Sequence, residues 1–239
     1  MKATVKGLRE FITEGVKVPE HWDLRVIVNE DHLTYLAFNT QTHEALWVDP
    51  VREDLPLLQA EVQKLAGYRW VAVIDTHTHA DHISGAADLA AILNVPLVMH
   101  ALSPTRRAHL RIQLDTVVPT ASAPIQFILT PGHTPDSMCV IWGPFLFTGD
   151  HILYGDTGRD DLPGGDPAAH YESLQKVKAV AQPEQLFLPG HGTRGSTWKT
   201  QLEKNAALTQ SREVFVPEAA AYTGPAPKLL KESLFENFK

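Results

Sequence analysis

Residues 75–82, DTHTHADH, place three histidines and two aspartates in eight positions. Neutral imidazole and carboxylate bind first-row divalent metals without help from thiolate. In a loop, a His-x-His spacing directs two imidazoles, here His77 and His79, to the same side. Asp81 and His82 then face a second position. Three more ligand types follow downstream, each directly after small turn residues: His133 in PGHT, Asp150 in FTGD and His191 in PGHG. The candidate metal ligands are therefore His77, His79, Asp81, His82, His133, Asp150 and His191. Asp81 and Asp150 are the candidate catalytic carboxylates. Seven ligands suffice for two metals sharing a bridging carboxylate, or for one metal with residues to spare. Any one of them alone reads as a capping or hydrogen-bonding residue. That explanation fails for a His-x-His-x-Asp-His cluster joined by three more ligands after Gly-containing strand ends. The other histidines (21, 32, 43, 100, 109, 151 and 170) show no such spacing and read as ordinary surface or hydrogen-bonded residues.

Elements must bring these segments together. Residues 24–29, 33–39 and 44–50 are rich in β-branched and aromatic residues and are separated by polar turns, as in a meander of strands. Residues 52–67 carry leucine and alanine at helical spacing, with Gly67 as a stop. Strand 70–75, helix 83–94 and strand 95–100 continue an alternation of β and α. Residues 103–112 read as a loop or short helix. Strands follow at 125–130, 138–143 and 145–149, the last two joined by the Gly143-Pro144 turn. A helix over 166–181 takes Asp166 as N-cap and Pro167 as its first residue, and a further strand covers 184–190. An amphipathic helix over about 227–239 closes the chain and hints at a homodimer. Four strand ends thus each deliver a ligand. Neighbouring strand ends lie about 5 Å apart, and ligand sites favour the carboxyl ends of strands, so the four can meet.

The bulk of the sequence narrows the function classes. The 239 residues, 44% of them hydrophobic, support one large domain over 1–239, with no linker, repeat or low-complexity run. A net charge of −7 disfavours nucleic acid as the main partner. The single cysteine, Cys139, excludes an intrachain disulfide and a cysteine-rich zinc module, and reads as a small core residue. The first 20 residues contain no long apolar stretch. No membrane association is expected, and the expected compartment is the cytoplasm.

In this order, THTHADH, PGHT, FTGD and PGHG resemble the metallo-β-lactamase superfamily over about residues 25–205. The resemblance implies an α/β fold: an αββα sandwich of two mixed β-sheets flanked by helices, with the metal site along one edge. Within the superfamily, DTHTHADHISGAADLA and GDTGRDDL (155–162) look like persulfide dioxygenases. Those enzymes oxidise glutathione persulfide with O2 to sulfite and glutathione at one Fe(II). The resemblance places that iron on His77, His133 and Asp150, with His79, Asp81, His82 and His191 as surrounding groups. GRDDLPGGD and PGHGTRGST are also similar to glyoxalase II-type hydroxyacylglutathione hydrolases. There all seven ligands would hold two zinc or iron ions, Asp150 would bridge them, and a metal-activated water would attack a thioester. Either way the partner is a small-molecule thiol derivative.

The sequence departs from both groups at Asp136, where Gly is common, and after His191, where the HDY form of many persulfide dioxygenases is missing. Arg159 is the candidate substrate-binding residue, through a glutathione carboxylate; the alternatives are a brace to Asp161 or a surface salt bridge. Arg106, Arg107 and Arg111 read as a solvated face or as a basic rim for an anionic thiol. Another ester or lactone hydrolase and a closed, non-catalytic metal site complete the alternatives.

Overall fold

The computed structural model describes residues 3–12, 16, 17, 19–216, 233 and 236–238. Two mixed sheets are each built mainly from consecutive segments of chain. The first contains β1 (Thr4–Gly7), β2 (Trp22–Asn29), β3 (His32–Asn39), β4 (Glu44–Val48), β5 (Arg69–Ile74), β6 (Leu97–His100) and β7 (Leu110–Ile112), in that spatial order. Pairings are antiparallel from β1 to β4 and parallel from β4 to β7. The second contains β8 (Thr116–Val118), β9 (Ile125–Leu129), β10 (Met138–Trp142), β11 (Phe145–Gly149), β12 (Leu186–Pro189) and β13 (Ser196–Thr197), ordered 13-12-11-10-9-8. Its pairings are antiparallel except for β11 with β12. After a short helix α1 (Leu8–Phe11), helices α2 (Leu55–Lys64) and α3 (Ala86–Leu93) cover the first sheet. Helices α4 (Pro167–Val180) and α5 (Trp198–Lys204) cover the second, and a short α6 is Arg212–Phe215.

The side-chain period of two explains the layering. Leu24 and Val26, Tyr35 and Ala37, Leu46 and Val48, and Ala72 and Ile74 point between the sheets, where they meet Phe127, Val140, Trp142, Phe147 and Leu188. The alternate residues Ile27, Leu36, Trp47 and Val73 pack under Leu58 of α2 and Leu89 of α3. On the far side, Cys139, Ile141, Leu146 and Phe187 lie under Leu174 and Val177 of α4 and Trp198 of α5. Central strands are therefore buried on both faces. This is why β4, β10 and β11 read as continuous apolar runs rather than alternating ones.

The expected αββα sandwich is the observed one. Differences lie at the edges. Residues 110–112, expected as loop or helix, form the edge strand β7. Helix α3 starts at Ala86, not 83, because Ser84 is drawn into a bridge with Val51. Asp166 caps α4 as expected, accepting from the Ala169 amide at 3.0 Å. Most of the helix expected over about 227–239 lies outside the described residues; Ser233, Glu236 and Asn237 are helical. Among the described residues no helix is long and apolar enough to cross a membrane.

At one end the sheets are stitched together. Leu33 N–H donates to Gly190 O (3.0 Å), Met138 N–H donates to Thr76 O (2.9 Å), and the Tyr35 hydroxyl donates to Pro189 O. The carboxyl ends of β4, β5, β11 and β12 meet there, together with the amino end of the antiparallel β3.

Candidate metal centre

Close approach at this end demands glycine. Gly149 closes β11 at φ +49°, and a Cβ on it would lie 2.3 Å from Thr76 Oγ1. A Cβ on Gly190 would lie 2.2 Å from Asp150 Oδ1. These turns therefore do more than reverse the chain: they let ligand-bearing strand ends touch.

Three of the seven candidates form a convergent group. One ligand atom from each of His77, His133 and Asp150 lies within 4.8 Å of the others. Asp150 Oδ2 is 3.9 Å from His77 Nε2 and 3.7 Å from His133 Nε2. Two ligands each about 2.1 Å from one ion sit roughly 3–4 Å apart, so the spacing fits. The rings are oriented from behind. Thr76 Oγ1 donates to Asp49 Oδ2 at 2.8 Å, so its lone pair receives His77 Nδ1–H at 3.0 Å. His133 Nδ1–H donates to the Arg159 carbonyl at 2.6 Å. Both rings thereby turn an unprotonated Nε2 toward Asp150, the tautomer that a metal ligand needs.

The other four candidates lie alongside. His191 Nε2 is 3.2 Å from Asp150 Oδ2 and 3.1 Å from Asp81 Oδ2. Asp81 also faces His82 Nδ1 at 3.2 Å. His79 turns its Nε2 toward Asp49 at 3.4 Å and Asp75 at 3.9 Å. All seven thus gather at one sheet end.

Charge and burial fit a cation. His79 Nε2, both nitrogens of His82 and Asp150 Oδ1 are buried without a well-formed hydrogen bond, which a buried polar group tolerates only with another partner. Burial pushes His77 down to about 3, and His79 beside it adds to that. Burial likewise takes His82 down to about 4. Burial opposes the proton on His79, but Asp49, Asp75 and Asp81 outweigh it and raise the group to about 10. His191, opposed by burial, is raised to about 11 by Asp150 and Asp81. Burial would raise Asp150 too, yet His191, His77 and His133 hold it well below the usual carboxylate range. Two imidazoles are thus kept neutral and two are held beside carboxylates that demand positive charge. A divalent ion answers both conditions.

Three contributors were not legible as such. His32, read above as ordinary, brings Nε2 to 2.8 Å from Asp81 Oδ2 while its Nδ1 faces Asn29 O at 3.3 Å. Two acceptors on one ring favour imidazolium, and the bond to Asp81 raises its pKa. Its position at the start of a strand, not after one, hid it. Asp49 ends β4 as the others end their strands, a usable signal in WVDP; it accepts Thr76 N–H at 2.7 Å. Asp136 accepts Thr78 N–H at 3.0 Å, between the two ligand histidines.

Three of the four cationic candidates have carboxylate or carbonyl partners. The Arg159 guanidinium grips Asp161 in a fork, at 2.8 and 2.9 Å. Arg107 pairs with Asp88 at 2.6 Å, and Arg111 donates to Ser103 O at 2.9 Å. Cys139 is a core residue whose thiol burial pushes up to about 12.

Known proteins resemble this chain. Residues 48–191 match the model of the metallo-beta-lactamase superfamily. The chain belongs to this superfamily. Among its relatives is the human mitochondrial persulfide dioxygenase ETHE1, 30% identical over 212 residues, or 86% of this chain and 83% of that protein. A hydroxyacylglutathione hydrolase of Polaromonas sp. is 28% identical over 83% of this chain and 72% of its own length. The crystal structure of ETHE1 from Myxococcus xanthus superposes with a TM-score of 0.79 at 29% identity, covering 90% of this chain and 97% of that one. Metallo-beta-lactamase membership, the sandwich and a cluster of candidate metal ligands at one sheet end therefore agree.

Proposed function

We propose that the chain is a persulfide dioxygenase, acting on glutathione persulfide or a similar small persulfide with one Fe(II) held by His77, His133 and Asp150. One observation carries this reading: His77, His133 and Asp150 converge as one group, whereas the other candidates are divided among separate clusters, Asp81 and His82 with His32, His79 with Asp49 and Asp75, and His191 with Asp31 and His32. Two histidines and one carboxylate with open positions suit non-haem iron and O2 chemistry. When bound, the ferrous ion supplies the redox chemistry by which O2 and water turn the outer persulfide sulfur into sulfite and release the thiol. The chain's residues orient and balance. Thr76 and the Arg159 carbonyl fix the ligand tautomers. His191 holds a proton at Nε2 beside Asp150, within the electrostatic field of the reacting centre. In this reading Arg159 works by gripping Asp161, which steadies the loop that orients His133.

Thioester hydrolysis is the second reading. It is favoured by the donor atoms of His79 and His82 that make no hydrogen bond, which a second ion could use. The test is to supply the purified protein with glutathione persulfide and with a glutathione thioester in parallel. Oxygen uptake with sulfite formation is expected from the first substrate. Thioester cleavage without oxygen uptake would replace this reading with the hydrolase.

A further inference from the structure

The stretch that carries four of the seven ligands is irregular: residues 75–83 contain neither helix nor strand. Ordering such a loop costs backbone conformational entropy at every residue. An ion can be held tightly only if much of that ordering is done by the folded protein in advance. Asp136 fixes the amide of Thr78 from the second sheet. The far half of the loop is fixed by a residue more than 150 positions later. Asn237 Nδ2 donates to the carbonyls of His79 (2.8 Å) and His82 (3.0 Å), and Asn237 Oδ1 accepts the Ser84 N–H (2.8 Å). A side-chain amide offers two N–H donors and an acceptor oxygen, and here both kinds are spent on one stretch of backbone. The orientation is unambiguous, because carbonyls only accept and the amide N–H only donates; a flipped amide would break all three bonds.

The neighbours reinforce the arrangement. Glu236 faces Arg52 at 3.5 Å, and Arg52 pairs with Asp88 of α3 at 3.2 Å. The Arg52 amide holds the Ile83 carbonyl at 2.9 Å. Ser84 continues the chain of contacts inward, donating from Oγ to Asp75 Oδ2 at 2.7 Å.

We infer that Asn237 is a positioning residue for the metal centre: its amide pins the backbone at His79 and His82, in the loop that carries the proposed ligand His77, so a residue late in the chain sets how firmly the ion is held. The inference rests on the proposed metal role of the 77–82 loop. Asn237 itself touches neither ion nor substrate in this role.

The test follows iron rather than turnover. Wild-type protein, Asn237→Ala, Asn237→Asp and the neighbouring control Phe238→Ala are loaded anaerobically with Fe(II). Each is then challenged with excess ferrous chelator, and the thermal midpoint of each metal-free form is recorded in parallel. Aspartate keeps the shape and the acceptor for Ser84 N–H but has no N–H to donate. Both Asn237 variants are expected to release iron about tenfold faster than wild type, the scale seen when groups that orient ligands are lost. The aspartate should be no better than the alanine, Phe238→Ala should match wild type, and the metal-free midpoints of the Asn237 variants should fall by about a few degrees, as lost hydrogen bonds require. Wild-type release from the aspartate variant would overturn the inference, since shape alone would then suffice. So would wild-type release from the alanine variant, or release from Phe238→Ala as fast as from the Asn237 variants. Wild-type protein that holds no iron would remove the metal centre itself, whereas firm binding in every form would remove only the role of Asn237.

Discussion

The surroundings of Asp136 give its carboxylate a purpose. Asp136 is buried, and it accepts both the amide and the hydroxyl of Thr78, the residue between the candidate ligands His77 and His79. Hydrogen bonds to a charged acceptor contribute about 1.5–3 kcal/mol. Asp136→Ala should therefore lower unfolding free energy by about 2 kcal/mol in urea titrations, and it should speed loss of bound metal to a chelator. Wild-type values for both would show that Thr78 needs no such anchor. At the same scale, the candidate ligands were open to reading because His-x-His-x-Asp-His and three Gly-flanked candidates announce themselves. His32 was not, because its relevance depends on which strand lies beside β12, a fact of topology that no local pattern records.

Elements were legible where both faces are buried or where a cap is explicit. The apolar runs of β4, β10 and β11 and the Asp166-Pro167 start of α4 belong to this kind. The short edge strands β7, β8 and β13 have two or three residues each, too few for any period to register. What the elements achieve jointly is the closure of two sheets at the ligand end. Tyr35 of β3 is fully buried, and its hydroxyl crosses the core to the Pro189 carbonyl of β12, two residues before His191. Tyr35→Phe removes that donor without changing the packing and leaves a buried carbonyl short of a partner. A loss of about 2 kcal/mol in chemical denaturation is expected, with metal content retained. An unchanged midpoint would mean that the stitch contributes nothing to sheet closure.

Across the whole molecule, the cluster of imidazoles and carboxylates ties stability to pH. In the metal-free protein His77 and His82 titrate at about 3 and about 4, below the unfolded histidine value of about 6.5. Below pH 6.5 the unfolded chain thus binds more protons than the folded one, and stability falls as pH drops. His79 and His191, at about 10 and about 11, act in the opposite sense: above pH 6.5 the folded state keeps protons that the unfolded chain has lost, so stability falls as pH rises. The melting temperature of metal-free protein should peak near neutrality and decline on both sides. A profile still climbing at pH 9 would be inconsistent with carboxylate-held protons on His79 and His191. Of these groups only His77 is a ligand of the proposed ion, so proton and metal compete there and metal binding should weaken as pH falls.

The central claim is that His77, His133 and Asp150 hold one ion. Metal per chain, determined by elemental analysis of protein purified without added metal and of its His133→Ala variant, tests it most directly. One iron per wild-type chain and almost none in the variant is the expected result. Two ions per wild-type chain, or a variant that keeps its iron, would contradict it.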